Sequence, residues 1–455
     1  MAGIEVGVKV LRGGFGWAAR LPATRDPAMY TPVTRPALLL LVPTTSYRLD
    51  DFRAAAERMG VPLLVGSDFC HRIEDAYGPV AGQLSLDYRR PARAAEQIAA
   101  AAQERPIGGI VPGSDATAVI AALAAERLGM PANPAAAARR AADKLAMRTA
   151  LAAAGVPVPR FRAHALQEDP EAAARAARYP CVLKPLIFSA SRGVIRADDP
   201  AGFAAAWHRI AALLAETRAE RRPRQDGAGE QLLVEEFVAG PEVALEGLLR
   251  GGRLEVLALF DKPDPLDGPF FEETLYVTPS RLPPPLQAEV ARVVADGARA
   301  LGLREGPVHA EARLGSDGPV VIEIAARSIG GLCSRTLRFG AGLTLEEVLV
   351  AHAMRRPLSD LRREARASGV MMLPIPSRGI LHGVAGEDQA RAVPGVQDVV
   401  ITAPRGRELV PLPEGDSYLG FLFARGETPE AVEAALREGH RRLRFDIRPA
   451  LPTVG

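Results

Sequence analysis

The sequence predicts a chain of mixed α/β and α+β class, built as a small parallel-sheet α/β domain, a strand-rich middle and a small α+β C-terminal domain. Three observations carry this. Strand-type and helix-type runs alternate with short links from Pro36 to about residue 140, the pattern of a parallel sheet. Strand-type runs then dominate from Cys181 to Ile324. The last hundred residues hold short strands and one clear helix, Pro429 to Leu443. The chain divides into four segments: an extension over 1–35, an α/β domain over 36–140, a two-lobed middle over 141–355 and a C-terminal α+β domain over 356–455.

Residues 1–35 scatter Gly, Pro and Arg without a period. Gly13-Gly14-Phe15-Gly16 has no strand before it, so it is a poor phosphate loop. Ala37 to Val42 is an uninterrupted apolar run, as expected of a strand covered on both faces. A helix around Asp50 to Met59 and a strand over Val61 to Val65 come next. A helix over Ala92 to Gln103 and a strand over Gly108 to Val111 then precede Ser114-Asp115, which caps a helix running to Leu128. Asp143 is placed to cap a helix over Lys144 to Ala154, with Gly155 and Pro157 ending it. The strands of the middle are Cys181 to Lys184, Gln231 to Phe237, Val243 to Leu249, Leu254 to Phe260, Val308 to Leu314 and Val320 to Ile324. A helix over Glu346 to Met354 closes that block, and the polar stretch Arg222 to Gly229 is expected as a surface loop.

At 455 residues, 48% hydrophobic and 24% charged, the chain can bury several cores. A net charge of +2 gives no reason to expect a nucleic acid or an acidic membrane as partner. Cys70, Cys181 and Cys333 are odd in number and far apart, so neither a disulfide framework nor a metal quartet is expected. No apolar run is long enough to span a bilayer, no signal peptide is read, and a reducing cytoplasm is the expected compartment.

Only four of the 56 Lys and Arg residues are lysines: Lys9, Lys144, Lys184 and Lys262. Arginine has replaced lysine almost everywhere, so the survivors are candidates for work that needs a compact point charge on a thin stem. Lys144 opens a helix and Lys184 ends a strand, both in contexts suited to touching a nucleotide phosphate. After Lys184, Ser189-Ala190-Ser191-Arg192-Gly193-Val194 supplies small residues that let backbone N–H groups approach phosphates. The strand Leu232 to Val238 stops in Gly240-Pro241, exposing backbone groups that can pair with an adenine edge, and Glu242 can accept from ribose hydroxyls. In the hairpin closed by Gly315-Ser316-Asp317-Gly318, symmetry about Asp317 sets Glu311 opposite Glu323. Like charges so placed repel. A divalent cation is one reason to keep them, and solvent exposure is the other.

Taken in order, these motifs resemble the ATP-grasp superfamily. The matched residues are Asp143-Lys144, Val182 to Pro185, Ser191 to Val194, Val234 to Glu236 through Glu242, Glu311, and Ile322-Glu323-Ile324-Ala325-Ala326-Arg327. The resemblance covers about 36–455 and implies an ATP-grasp fold with flanking domains. By resemblance, Lys144, Lys184, Ser191 and Gly193 contact ATP phosphates, and Glu235, Glu236, Phe237 and Val238 frame the adenine. Glu242 holds the ribose, Glu311 and Glu323 hold Mg²⁺ or Mn²⁺, and Arg327 with Lys184 serves the acyl phosphate. Ala325 stands where many members have a metal-holding Asn. Ala326-Arg327 followed by Gly330-Gly331 is similar to the L-amino-acid and dipeptide ligase branch. In that branch a Phe-x-Glu…Pro segment near the amino substrate is similar to Phe271 to Pro279, which makes Glu273 a candidate for a substrate ammonium. Tyr276 stands where His is frequent, and Lys262 either reaches a substrate carboxylate or lies on the surface.

The expected activity is ATP-dependent ligation of a carboxylate to an amine through an acyl phosphate, with small-molecule partners and a homodimer left open. A biotin-carboxylase-like activation of bicarbonate is the first rival. It lacks its catalytic Glu, since Gly331 stands four residues after Arg327, and no Ala-Met-Lys-Met attachment site exists. A nucleotide-binding pseudoenzyme is the second, encouraged only by Ala325. Cys333 is read as a buried structural thiol with no His near it in sequence, and His309 as either a site neighbour or a core residue.

Overall fold

The computed structural model of the chain describes residues 35–44, 46–68, 83–220, 230–340 and 342–449. Lys9, the glycine run at 13–16, Cys70 and the 222–229 loop lie outside the described residues, as does all but residue 35 of the expected extension.

The first block is a four-stranded parallel sheet in the order Gln83–Ser85, Leu63–Ser67, Ala37–Leu41, Ile107–Pro112. Leu38 to Leu41 are all fully buried, which is why the central strand tolerates no polar residue. Ser114 caps the Asp115–Leu128 helix: its side chain accepts from the Thr117 N–H at 3.3 Å, while Thr117 Oγ1 accepts from the Ser114 N–H at 2.9 Å. Gly129, in the left-handed region at φ 64°, ends it.

Two sheets build the middle of the chain. A four-stranded antiparallel sheet runs Phe161–Ala165, Gln231–Glu236, Cys181–Pro185, Ile195–Ala197 and is backed by the Pro200–Glu220 helix. An eight-stranded sheet runs Gly318–Ala325, Gly306–Gly315, Glu242–Arg250, Arg253–Lys262, Leu275–Thr278, Ala367–Leu373, Gly420–Gly426, Val396–Ile401. It thus passes without a break from the middle of the chain into its last hundred residues. One core joins Leu38 and Phe52 of the first block to Phe339, Leu345, Val370 and Phe421, so burial welds all three sequence blocks.

The middle is less strand-dominated than the sequence reading expected. The helices Pro200–Glu220 and Pro284–Leu301 stand there as well. Local signals mark both. Asp199 Oδ1 accepts from the Gly202 N–H at 2.7 Å, and the second helix has proline in its first turn and left-handed Gly302 at its end. Among the described residues the C-terminal block has a short helix, Glu387–Arg391, besides the expected one, Pro429–Arg442.

Candidate active site

The ends of the two sheets face a cavity of about 90 Å³. Its wall includes Lys144, Lys184, Ser191, Glu235, Glu236, Phe237, Val238, Glu242, Glu273, Glu311 and Glu323, so eleven of the expected residues converge there. A larger cavity of about 460 Å³ lies between the Asp115–Leu128 helix and residues 349–358, but its mainly apolar wall holds no lysine and a single carboxylate, Glu305. The smaller cavity is the candidate site, because the two lysines and the carboxylates singled out in the sequence meet in its wall.

Lys184 ends its strand buried, with Nζ 2.5 Å from Glu235 Oε2. Glu235 is also held by Arg148, which the sequence reading missed. Its Nε donates to Glu235 Oε1 at 2.5 Å and its Nη2 to the Ile322 carbonyl at 2.5 Å. Burial raises the Glu235 carboxyl, but Arg148 and Lys184 outweigh it and hold the group below its ordinary value. Burial together with Arg148 and Lys144 pulls the Lys184 ammonium down, against the pull of Glu235. Both directions agree with one charged carboxylate shared by two cations, of which arginine keeps its proton more firmly. The Glu235 side chain is thereby occupied, and its backbone is paired with Phe161 and Val182 in the sheet, so the edge left for an adenine begins beyond Glu235.

That backbone edge is narrower than expected. The Glu236 N–H donates to the Arg160 carbonyl at 2.9 Å and the Phe237 N–H to the Pro180 carbonyl at 3.1 Å. The Val238 N–H has no partner among the described residues. The guanidinium groups of Arg196 and Arg313 lie 4.2 Å and 4.9 Å from the Phe237 ring centre and hold the ring in place beside that edge.

The segment 188–194 covers the lysines. Lys144 Nζ donates to the Phe188 carbonyl at 2.5 Å. Ala190 and Ser191 take left-handed φ values of 54° and 55°, a strain that non-glycine residues carry where the surroundings demand it. Gly193 departs from its expected role. Its N–H donates to the Pro413 carbonyl at 2.8 Å and is not free for a phosphate.

At the other wall Lys262 is buried, which removes the surface reading. Its Nζ donates to Glu242 Oε1 at 2.7 Å, to Glu273, and lies 3.1 Å from Glu311 Oε1. Glu242 is thus one of the carboxylates grouped around Lys262, and it also stays in the cavity wall beside Phe237 and Val238. Tyr276 donates to Glu273 at 3.0 Å and lies 3.4 Å from Glu311. His309 joins from behind, with Nδ1 3.2 Å from Glu246 Oε2 and Nε2 3.6 Å from Glu311 Oε1. Burial lowers the His309 imidazole, but its bonds to Glu246 and Glu311 prevail and push it up to about 9. Burial and the Glu311 carboxylate push Glu273 up to about 7. Lys262 and His309 draw Glu311 well below its ordinary value despite burial.

Glu311 and Glu323 are directly opposite in the hairpin ladder, as the sequence predicts. Arg327 does not line the cavity. It pairs with Asp115 at 3.1 Å, at the start of the Asp115–Leu128 helix, and donates to the Ser328 carbonyl at 3.1 Å. Gly330 and Gly331 come after it. Gly331 has φ 57°, and a Cβ there would lie 2.8 Å from the Phe421 ring, so the close approach demands glycine. Arg48, another residue missed in the sequence, fixes this loop from the first block. Its Nη1 donates to Ser328 Oγ at 2.7 Å and to the Ile329 carbonyl at 3.0 Å, and its Nη2 to Glu346 at 2.8 Å. Cys333 is buried and its thiol is pushed up to about 12 by burial, as a structural cysteine should be.

Three family models match the chain: an ATP-grasp N-terminal domain over residues 52–132, an ATP-grasp domain over 177–336, and the L-amino acid ligase C-terminal domain 2 over 371–448. Alanine–anticapsin ligase of Bacillus subtilis is 25% identical over 312 residues, covering 65% of each chain. Homo sapiens carnosine synthase 1 is 30% identical over 288 residues, 60% of this chain and 34% of that protein. A Sinorhizobium fredii protein is 29% identical over 68% of this chain and 61% of its own length. The chain thus spans between about a third and just under two thirds of these three relatives. An L-amino acid ligase from Bacillus licheniformis shares the fold with a TM-score of 0.71 at 24% identity, over 91% of this chain and 99% of that one.

Proposed function

Because the chain belongs to the ATP-grasp superfamily, we propose that it is an ATP-dependent carboxylate–amine ligase that forms an amide through an acyl phosphate, with an amino acid among its substrates. The observation that carries this reading is the single cavity with Lys144 and Lys184 on one wall and Glu242, Glu273, Glu311 and Glu323 on the other. Lysines suit a polyphosphate, and clustered carboxylates suit cations. The L-amino acid ligase C-terminal match favours an amino acid over bicarbonate. The three matched segments each fall inside one of the blocks 36–140, 141–355 and 356–455, which supports keeping that division.

In this reading a substrate carboxylate oxygen attacks the γ-phosphorus, the bond to the bridging oxygen breaks, and ADP leaves. The amine nitrogen then attacks the acyl carbon, the carbon–oxygen bond to phosphate breaks, and the nitrogen sheds a proton. Lys144 and Lys184 hold the phosphates, and Arg327, which pairs with Asp115 outside the cavity wall in this structure, is assigned by the family resemblance to the charge that builds on the acyl phosphate. Val238 offers its N–H to the adenine. Glu273 takes a substrate ammonium, while Lys262, whose three donors are taken by Glu242, Glu273 and Glu311, neutralises the carboxylates around it.

Magnesium or manganese fits the donor set. Carboxylate oxygens of Glu242, Glu273 and Glu311 lie within 4.8 Å of one another, and all are hard donors. With Glu246 they set four carboxylates against Lys262 and His309, so full ionisation leaves a net charge of −2, from −4 and +2. Of that group Glu311, together with Glu323 opposite it in the ladder and in the same cavity wall, would hold the ion, which would neutralise phosphoryl oxygens. Phosphate release from ATP, measured across a panel of amino acids and small amines, tests the reading. Release that requires both a carboxylate and an amine supports it, and release indifferent to them refutes it.

A further inference from the structure

The phosphate-side segment 188–194 is fastened to a stretch far along the chain, residues 413–416, between the strands Glu408–Leu409 and Gly420–Gly426. The Gly193 N–H donates to the Pro413 carbonyl at 2.8 Å, and Arg192 Nε donates to the Glu414 carbonyl at 2.8 Å. Arg192 Nη1 lies 3.8 Å from Asp416 Oδ2, and its guanidinium covers the Phe188 ring at 4.6 Å. Arg209, on the Pro200–Glu220 helix behind the same lobe, grips both oxygens of the Glu414 carboxylate, with Nη2 at 2.9 Å. The stretch itself has little freedom, since a Cβ on Gly415 would lie 1.8 Å from the Val410 carbonyl oxygen.

Phe188 to Ser191 and Val194 line the cavity beside Lys144 and Lys184, so this segment borders whatever phosphates the lysines hold. Its ties to 413–416 keep it in that place. We propose that Glu414 is a positioning residue for nucleotide binding: its pair with Arg209 latches the phosphate-side cover against the C-terminal block. The inference rests on the ATP-ligase reading. Two features favour a latch over a permanent seam. The pair is half-exposed, with 46% and 33% of the side chains accessible, so it can part into water at small cost. The cover also holds Ala190 and Ser191 in left-handed backbone, a strain that its surroundings must sustain.

The test compares wild type, Glu414→Gln, Arg209→Glu, Glu414→Arg and the swapped double variant Arg209→Glu/Glu414→Arg. None of these side chains lines the cavity. The readouts are the KM for ATP, kcat, and the dissociation rate of a fluorescent ADP analogue. Glu414→Gln is expected to raise the ATP KM about threefold to fivefold, the scale of a bidentate half-exposed pair, and to speed ADP release by a similar factor while kcat falls less. The charge swap should restore both values, which a generic packing defect would not allow. Wild-type ATP KM and ADP release in Glu414→Gln would overturn the latch, as would single reversals that damage KM and are not rescued by the swap. A wild-type protein that binds no ATP would overturn the ligase reading itself and the latch with it.

Discussion

Glu311 stands directly opposite Glu323 across the hairpin ladder, and a β-bulge puts it there. Gly315 pairs with Gly318 and Ala312 with Val321, a register that would bring Glu311 opposite Ile322. The irregularity between Glu311 and Ala312 shifts the partner by one residue, and both carboxylates reach the wall of one cavity.

Glu323→Gln is therefore expected to leave thermal stability unchanged or raised by about 0.5 kcal/mol, because a cross-strand repulsion is removed. The same variant should lose most of the extra stabilisation that Mg²⁺ with ATP gives the wild type. Melting with and without the nucleotide and metal checks this. Full retention of that stabilisation would remove Glu323 from the metal site.

Lys184→Arg keeps the charge, yet the broad guanidinium must enter a slot already filled by Arg148 and Glu235. We expect kcat/KM to fall about a hundredfold, with about 1–3 kcal/mol of destabilisation from overpacking. Turnover equal to wild type would show that no compact charge is needed at this position.

Glu273→Gln preserves shape and removes a charge from a desolvated site. Losing a charged partner costs about 2–3 kcal/mol, so the amino-acid KM should rise by about 30- to 150-fold. The ATP KM should barely move. Equal damage to both constants would separate Glu273 from the ammonium.

Arg48 and Glu346 form a buried pair at 2.8 Å that fixes the loop after Arg327. Burial raises the Glu346 carboxyl, but Arg48 prevails and holds it below its ordinary value. A lowered carboxyl stabilises above its unfolded value, near 4.3, and loses that contribution as pH falls through its folded value. Glu346→Gln should cost about 3 kcal/mol at neutral pH, and the gap from wild type should narrow below pH ~4. Denaturant melts at both ends of that range measure it; a gap that widens in acid contradicts the pairing.

The sequence made legible what local rules govern. Ser114 and Asp143 cap the helices they were expected to cap, and the apolar run from Ala37 is a strand buried on both faces. The helices Pro200–Glu220 and Pro284–Leu301 were just as legible from Asp199, Pro284 and Gly302, but the surrounding strand-type runs obscured them. The contacts of Lys262 were not legible. Its partners Glu242, Glu273 and Glu311 come from separate parts of the chain, and only sheet order brings them together. Arg148 and Arg48 hid for the opposite reason, as two guanidinium groups among many in a chain that uses arginine for nearly every positive charge. The tie between Gly193 and Pro413 spans 220 residues and leaves no local trace.

The central claim is that ATP activates a carboxylate by phosphorylating it, and the fate of one oxygen tests this most directly. With an accepted amino-acid pair whose carboxylate carries isotopically heavy oxygen, one labelled atom should appear in the inorganic phosphate for each amide formed, read by mass spectrometry. Amide formation with unlabelled phosphate, or with the label in AMP, would contradict the acyl-phosphate account.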